Sequence, residues 1–250
     1  MMRALGRRIL MLGILLLPAA SGVLGHNSPD MAPSTLMPYE GPRDEQTLKD
    51  HLRQYRETPN DPHIWLEVGL DYLHLANGGK WAYLDQAATY LDMLVARYPK
   101  TPLALMLRGR VQGARALDSS PSTLTRLKWA RQGFKQMDEA VKLDPADVYL
   151  RLLRGEAGLM AHPVLRRGDA LEDDAARVAQ FLKSSSFAQS AAWLQARVHL
   201  FLGNVAQRDK NAADARRHWE LVRSLAADTA LAEEAAHRLA GTFRTYGYED

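Results

Sequence analysis

The sequence predicts an all-α fold, a solenoid of about four antiparallel helix pairs with a capping helix at each end. The composition favours helix, because Ala and Leu dominate the 250 residues and β-branched residues are sparse. Apolar residues recur at the spacing of one helix face over most of the chain after residue 44. A proline also precedes a glycine by ten residues at three places, which indicates a repeated structural unit.

The first 25 residues have the pattern of a targeting segment. Arg3, Arg7 and Arg8 precede an apolar run over residues 9–17, and small residues follow Pro18. This is the layout of a secretory signal peptide, and we expect cleavage near residues 22–25. The alternative is an uncleaved anchor in the inner membrane through residues 9–25, for which the run is short, since a membrane-spanning helix needs about 20 apolar residues. The segment therefore predicts export, to the periplasm in a bacterium.

The charge of the chain excludes one class of partner. The sequence has 32 Lys and Arg against 29 Asp and Glu, but residues 1–25 contribute three Arg and no acidic residue. Without those three Arg the two counts are equal, so the remainder is formally neutral. Nucleic-acid binding depends on excess positive charge, and we expect no such partner. The absence of cysteine excludes a lipobox, disulfides and cysteine metal sites.

Helical patterning begins after a proline-rich stretch. Residues 26–43 contain four prolines and read as an extended linker, which leaves residues 44–250 as the helical domain. A first helix is capped by Asp44 or Thr47 and ends before Pro59, and the next begins at Pro62. One face of that second helix carries large residues around a glycine. They are Trp65, Val68, Gly69 and Tyr72.

The ten-residue spacing marks the first helix of each pair. The matching residues are Pro59 with Gly69, Pro99 with Gly109, and Pro145 with Gly155. Small residues recur in the second helices, at Ala87, Gly133, Ala175 and Ala215, which lie 46, 42 and 40 residues apart. The fourth pair departs from the pattern, because Arg197 stands where a glycine is expected.

These residue types and spacings resemble the tetratricopeptide (TPR) repeat, in an exported bacterial form, over about residues 59–227. The usual TPR period is about 34 residues, and the surplus here falls between the two helices of each pair. The resemblance implies a right-handed α-solenoid, closed by a last helix from Thr229 to about Arg244. Ser184–Ser186 is expected to be a polar hairpin between helices.

No motif for catalysis or cofactor binding is present. The sequence has no G-x-S-x-G nucleophile motif, no glycine-rich phosphate loop and no His-Glu-x-x-His. Glu234-x-x-His237 is half of a di-iron pattern, and Asp71-x-x-His74 is a poor second copy. We therefore expect no catalytic residue, no cofactor and no metal.

Arginines on the predicted first helices are the candidate binding residues. By the TPR resemblance these helices line a concave groove, where guanidinium groups would suit a carboxylate or an acidic side chain. The alternative is that the arginines pair with acidic residues of adjacent helices or extend over the groove. The candidates on these helices are Arg108, Arg110, Arg151, Arg154 and Arg197, together with Tyr149. Arg166 and Arg167, which follow the turn of the third pair, complete the set.

The resemblance implies a non-enzymatic scaffold or adaptor of the cell envelope. We expect a protein or peptide partner in the concave groove, with a role in the assembly of an envelope complex. The alternative is a solute-binding accessory subunit of a transporter, with a closed pocket ringed by Arg151, Arg154 and Arg166. Contact with a membrane is expected only through residues 1–25, if they are retained.

Overall fold

The computed structural model describes residues 43–118, 120–161 and 163–242, which belong to one compact unit. This part of the chain contains helices and no strand. The helices are α1 Glu45–Glu57, α2 Pro62–Asn77, α3 Leu84–Arg97, α4 Pro102–Leu117, α5 Thr123–Leu143, α6 Val148–Leu159, α7 Gly168–Leu182, α8 Ser185–Gln189, α9 Ala192–Arg208, α10 Ala212–Leu225 and α11 Ala230–Leu239. None of the helices described is long and apolar enough to cross a membrane.

The helices pack as the predicted pairs. These are α2 with α3, α4 with α5, α6 with α7, and α9 with α10. Helix α1 packs on α2 at one end, and α11 packs on α10 at the other. The predicted fold of paired helices between two capping helices is confirmed. The predicted targeting segment 1–25 and residues 26–42 of the linker lie outside the described residues.

Prolines and acidic caps set the helix boundaries. Pro59, Pro99 and Pro145 each come two residues after the end of a helix, because proline cannot continue one. Pro62 occupies the first turn of α2, where its missing N–H costs nothing. The Asp147 carboxylate accepts hydrogen bonds from the first backbone N–H groups of α6. The ten-residue spacing thus joins a helix end to the middle of the next helix.

Two glycines allow α4 and α5 to approach at backbone distance. A Cβ at Gly109 would lie 2.7 Å from the Gly133 carbonyl oxygen, and one at Gly133 would lie 2.6 Å from the Gly109 carbonyl oxygen. Met137, fully buried, packs beside them. The predicted small packing residues Gly109 and Gly133 therefore contact each other directly. Larger side chains at either position would separate the two helices.

Three local predictions need correction. Ser185–Gln189 forms a short helix, capped by Ser184, rather than a plain hairpin. Helix α11 ends at Leu239 and not near residue 244, because Gly241 adopts φ +69° and Thr242 N–H donates to the His237 carbonyl oxygen, which closes the helix. The fourth pair does have a packing glycine. It is Gly203, where a Cβ would lie 2.6 Å from Trp219 Nε1.

Arg43 ties the start of the described chain to α2. Its guanidinium donates to Asp71 Oδ1 at 2.6 Å and to Glu67 Oε2 at 2.8 Å. His51 of α1 lies 2.6 Å from the other oxygen of Asp71. Both carboxylates are almost fully buried, so these partners balance their charge. The end of the predicted linker is therefore held against the first capping helix and α2.

A buried pair of histidines joins α9 to α10. His199 Nδ1 and His218 Nδ1 lie 2.8 Å apart, and Phe187 of α8 packs edge-on against the His199 ring. Burial, and then His218 and Arg217, lower the pKa of His199 to about 4. Burial and Arg217 also lower the pKa of His218, and Asp214 opposes this. The charged form of both rings is disfavoured in the folded protein.

We expect acid to destabilise the fold through this histidine pair. A histidine in the unfolded chain has a pKa of about 6.5, so the unfolded chain binds more protons as the pH falls from there to about 4. The pair's contribution is complete above pH ~6.5 and is lost below it, by about 2–3 kcal/mol at pH 4. Urea unfolding at a series of pH values measures this. His199→Phe keeps a ring and should flatten the profile, and an unchanged slope in that variant would contradict the assignment.

Candidate functional site

Successive first helices contact one another and form one layer. Helix α2 contacts α4, α4 contacts α6, and α6 contacts α9. We call these four helices the first-helix layer. Because residues on neighbouring helices of such a layer lie side by side, side chains that are far apart in sequence meet on its surface.

Two arginines from two helices of this layer donate to one carboxylate on the helix between them. Arg110 Nη1 of α4 donates to Glu156 Oε2 of α6 at 2.8 Å and to the Leu153 carbonyl oxygen at 3.2 Å. Arg197 of α9 donates from Nε to Glu156 Oε1 at 2.6 Å and from Nη2 to Oε2 at 2.7 Å. We call Arg110, Glu156 and Arg197 the Arg–Glu–Arg row.

The row carries a net positive charge at all ordinary pH values. Burial raises the pKa of Glu156, but the Arg197 and Arg110 guanidinium groups outweigh it and lower that pKa to about 2. For Arg197, burial opposes the charged form, and Glu156 and Tyr149 outweigh it and raise the pKa. The three side chains remain 20–23% exposed. Two guanidinium groups around one carboxylate leave one positive charge that solvent or a partner can reach.

Aromatic rings flank the row on one side. The Arg197 guanidinium carbon lies 5.8 Å from the centre of the Tyr149 ring. Trp193, one turn before Arg197 on α9, packs edge-on against Tyr149 with ring centres 5.8 Å apart. The Trp193 indole nitrogen is buried and has no hydrogen-bond partner among the described residues. The positive charge of the row therefore lies beside an apolar surface formed by Tyr149 and Trp193.

His74 of α2 lies near the Arg–Glu–Arg row, since the charge of Arg197 acts on its ring. Partial burial of its ring lowers its pKa, and the nearby charges of Arg43 and Arg197 lower it further. Asp71 opposes that shift. A ring held neutral at physiological pH adds a hydrogen-bonding group without adding charge.

Arg154 belongs to a buried structural network rather than to the row. Its Nε and Nη2 donate to the two oxygens of Asp174 on α7 at 2.8 and 2.7 Å. Its Nη1 donates to Asp138 Oδ1 of α5 at 3.0 Å. Asp174 is fully buried and Arg154 nearly so. The guanidinium therefore joins three helices, and its donors are occupied within the protein.

Two further candidates join the same network. Arg151 Nη1 donates to Asp173 Oδ2 at 2.6 Å and approaches Asp174 Oδ1 at 3.3 Å. Arg167 donates to both oxygens of Asp138 at 2.9 and 2.6 Å. These contacts match the alternative that arginines pair with acidic residues of adjacent helices.

The remaining two candidates lie apart from the row. Arg108 pairs with Asp92 of α3 at 2.6 Å, and both side chains are substantially exposed. Arg166 is exposed in the loop before α7, with a left-handed backbone of φ 49°. Of the predicted set, the structure brings together Arg110, Tyr149 and Arg197. Arg151 and Arg154 are instead paired with Asp173 and Asp174.

The residues of the half di-iron pattern have other partners. Glu234 Oε1 accepts hydrogen bonds from Arg238 Nη2 at 2.7 Å and Nε at 2.9 Å. His237 Nδ1 lies 3.1 Å from the Thr242 hydroxyl. Within the described residues, no group of three His, Asp or Glu side chains could hold a metal ion.

A search of solved structures finds a thermophilic TPR protein of Thermus thermophilus. The two superpose with a TM-score of 0.57 and 18% sequence identity, over 77% of this chain and 89% of the other. The chain has a TPR-like fold. No protein-family model matches the sequence, and no curated protein matches it either.

The TPR-like repeat explains which site residue the sequence reasoning missed. Glu156 directly follows the packing glycine Gly155, and Arg110 directly follows Gly109. Equivalent positions of successive repeats lie side by side in a TPR-like solenoid, so the sequence contained the signal that these two would meet. Glu156 was missed because the predicted set contained only arginines and one tyrosine, and no acidic residue that could bind them. Arg197 was correctly assigned to the same layer.

Proposed function

We propose that the chain is an exported, non-enzymatic adaptor that binds a protein or peptide partner on its first-helix layer. The TPR-like fold supports a scaffold for protein interactions. By resemblance, this layer is the concave side of the superhelix. The targeting pattern of residues 1–25 supports a place in the cell envelope, where the adaptor would assist assembly of a complex.

The Arg–Glu–Arg row carries the proposal. Glu156 orients the guanidinium groups of Arg110 and Arg197, so that little side-chain entropy is lost when a partner binds. The residual positive charge attracts an acidic side chain or a chain-terminal carboxylate. Tyr149 and Trp193 supply an apolar surface for the residue beside that carboxylate. Arg108 and Arg166 remain candidates for the edge of the contact, and Arg151, Arg154 and Arg167 support the helices beneath it.

Two substitutions with opposite expected effects test this recognition. Arg197→Gln removes a cation and should weaken partner binding about tenfold, since a hydrogen bond to a charged group contributes about 1.5–3 kcal/mol. Glu156→Gln keeps a side-chain oxygen that accepts hydrogen bonds from the arginines but removes the opposing charge, so the net positive charge rises and binding should strengthen. The measurement is quantitative mass spectrometry of proteins that co-purify with the full chain from envelope extract.

Controls separate recognition from loss of fold. Arg223→Gln changes an exposed cation on α10, outside the first-helix layer, and should leave the co-purified protein unchanged. Circular dichroism should show the same helical content for all three variants. Weaker capture by both Arg197→Gln and Glu156→Gln would contradict the proposal, since a purely structural row loses stability either way. A small molecule in place of a protein would favour the solute-binding alternative.

A further inference from the structure

Helix α5 carries a row of exposed cations along one side. At about 100° per residue, the row falls within roughly 60° of the helix circumference and extends for about 27 Å. Its members are Lys128, Arg131, Lys135 and Lys142, with Leu124 at the start of the same side. We call these five residues the α5 stripe. Leu124 is 81% exposed, which makes it the most exposed large apolar residue of the described chain.

The positive charge of the stripe is largely uncompensated. Lys142 approaches Glu139 at 3.8 Å, whereas Lys128, Arg131 and Lys135 form no ion pair within the described residues. Asp138, at the margin of the stripe, is already bound by Arg154 and Arg167. The chain after residue 25 is formally neutral, so this concentration of charge on one helix is local. Local excess charge of one sign selects a partner of the other sign.

A shallow hollow lies beside the stripe. It has a volume of about 370 Å³ and opens between α5 and the loop before α7. The hollow is lined by four cations, two carboxylates and two apolar residues. They are Arg131, Lys135, Lys142, Arg167, Asp138, Glu139, Phe134 and Leu165. The Arg167 guanidinium lies 4.4 Å above the Phe134 ring, so its position is held by stacking as well as by Asp138. The cations of the hollow outnumber its carboxylates, so it carries a net positive charge beside an apolar surface.

We propose that the α5 stripe binds the surface of a lipid bilayer that contains anionic lipids. A straight row of long cationic side chains suits a flat surface of many negative headgroups. The hollow admits a single phosphate headgroup, and the exposed Leu124 inserts between the lipids at one end of the row. An adaptor bound in this way keeps its first-helix layer free for a protein partner. The proposal goes beyond the function above and involves a different set of residues.

A single labelled cysteine reports contact at the stripe itself. The chain has no cysteine, so Gln132→Cys, at the edge of the stripe, accepts one environment-sensitive fluorophore, and Gln180→Cys on α7 is the control. The full chain is mixed with phosphatidylglycerol–phosphatidylcholine vesicles or with phosphatidylcholine vesicles alone. The probe at residue 132 should shift to shorter wavelength on the anionic vesicles only, and the shift should disappear in molar salt. Residues 1–25 act equally on both labelled proteins.

Substitution of the cations tests their role. Each cation near an anionic surface strengthens binding about fivefold, so Lys128→Gln with Arg131→Gln and Lys135→Gln should weaken binding about 100-fold. The matched control changes three exposed cations elsewhere, Lys183→Gln, Arg216→Gln and Arg223→Gln, and should change binding little. Equal losses in the two triple variants would overturn the proposal. The proposal would also be overturned if anionic vesicles left the emission of the probe at residue 132 unchanged, or if polyglutamate shifted that emission and vesicles did not.

Discussion

Gly133→Ala is expected to lower the free energy of unfolding by about 2–3 kcal/mol, despite the higher helix propensity of alanine. The added Cβ would lie 2.6 Å from the Gly109 carbonyl oxygen and 3.0 Å from the Gly113 backbone nitrogen. Both neighbours are backbone atoms, which cannot move aside as a flexible side chain does. Relief therefore requires α4 and α5 to separate, and that weakens the contacts of Met137.

Gly113→Ala is the matched control for that substitution. It lies on α4, one turn after Gly109, and a Cβ there meets nothing within 4 Å. Because alanine is a better helix former than glycine, this variant should gain up to about 1 kcal/mol. Urea unfolding followed by circular dichroism compares the two variants directly. Equal effects of the two alanines would contradict the close packing of α4 against α5.

Arg154→Met is expected to cost more, about 3–5 kcal/mol, because it leaves a buried charge without its main partner. Asp174 is fully buried, and Arg154 supplies both of its short hydrogen bonds. Arg151, at 3.3 Å, compensates only in part. Methionine fills much of the space of the arginine stem, so the loss reports the charge rather than a cavity. Thermal unfolding should show a correspondingly lower midpoint.

Arg108→Met is the control at the equivalent repeat position. Arg108 and Arg154 each directly precede a packing glycine, Gly109 and Gly155. The partner of Arg108, Asp92, is 52% exposed, and an exposed ion pair contributes less than about 1 kcal/mol. We expect a small effect from this variant. A loss as large as that of Arg154→Met would mean that burial of the network does not determine its energy.

The paired architecture was predictable because it depends on local signals. Proline follows the end of a helix by two residues at positions 59, 99 and 145. A glycine ten residues later marks a place where two helices pack closely. The missed glycine, Gly203, shows the limit of that approach. Trp193 corresponds to Trp65 in the repeat, and the four-residue distance from Trp65 to Gly69 therefore places Arg197 at the glycine position. The actual contact with Trp219 is six residues later, at Gly203. The point at which two helices pack most closely can move along a helix while the spacing of its apolar residues stays the same.

The candidate site was only partly predictable, since it depends on pairing between distant helices. Arg110 and Arg154 have the same residue type on equivalent helices. Their environments differ because Asp174 of α7 reaches Arg154, whereas Arg110 meets Glu156 on the surface of the first-helix layer. Composition and the apolar period of a single helix carry no information about which acidic residue lies opposite, and only the alignment of successive repeats places Glu156 beside Arg110. The four cations of the α5 stripe have helical spacing in the sequence. That spacing alone does not show that they are exposed, which depends on how α5 packs against its neighbours.

Site-specific photocrosslinking tests the central claim that the first-helix layer is the surface that binds the partner. A photoreactive benzoylphenylalanine replaces Trp193 beside the Arg–Glu–Arg row, and in a second protein it replaces the exposed Leu221 on α10. Irradiation in cells should link position 193, and not position 221, to one defined protein, and Arg197→Gln should reduce that product. A product formed only from position 221, or one from position 193 that Arg197→Gln leaves unchanged, would contradict the claim.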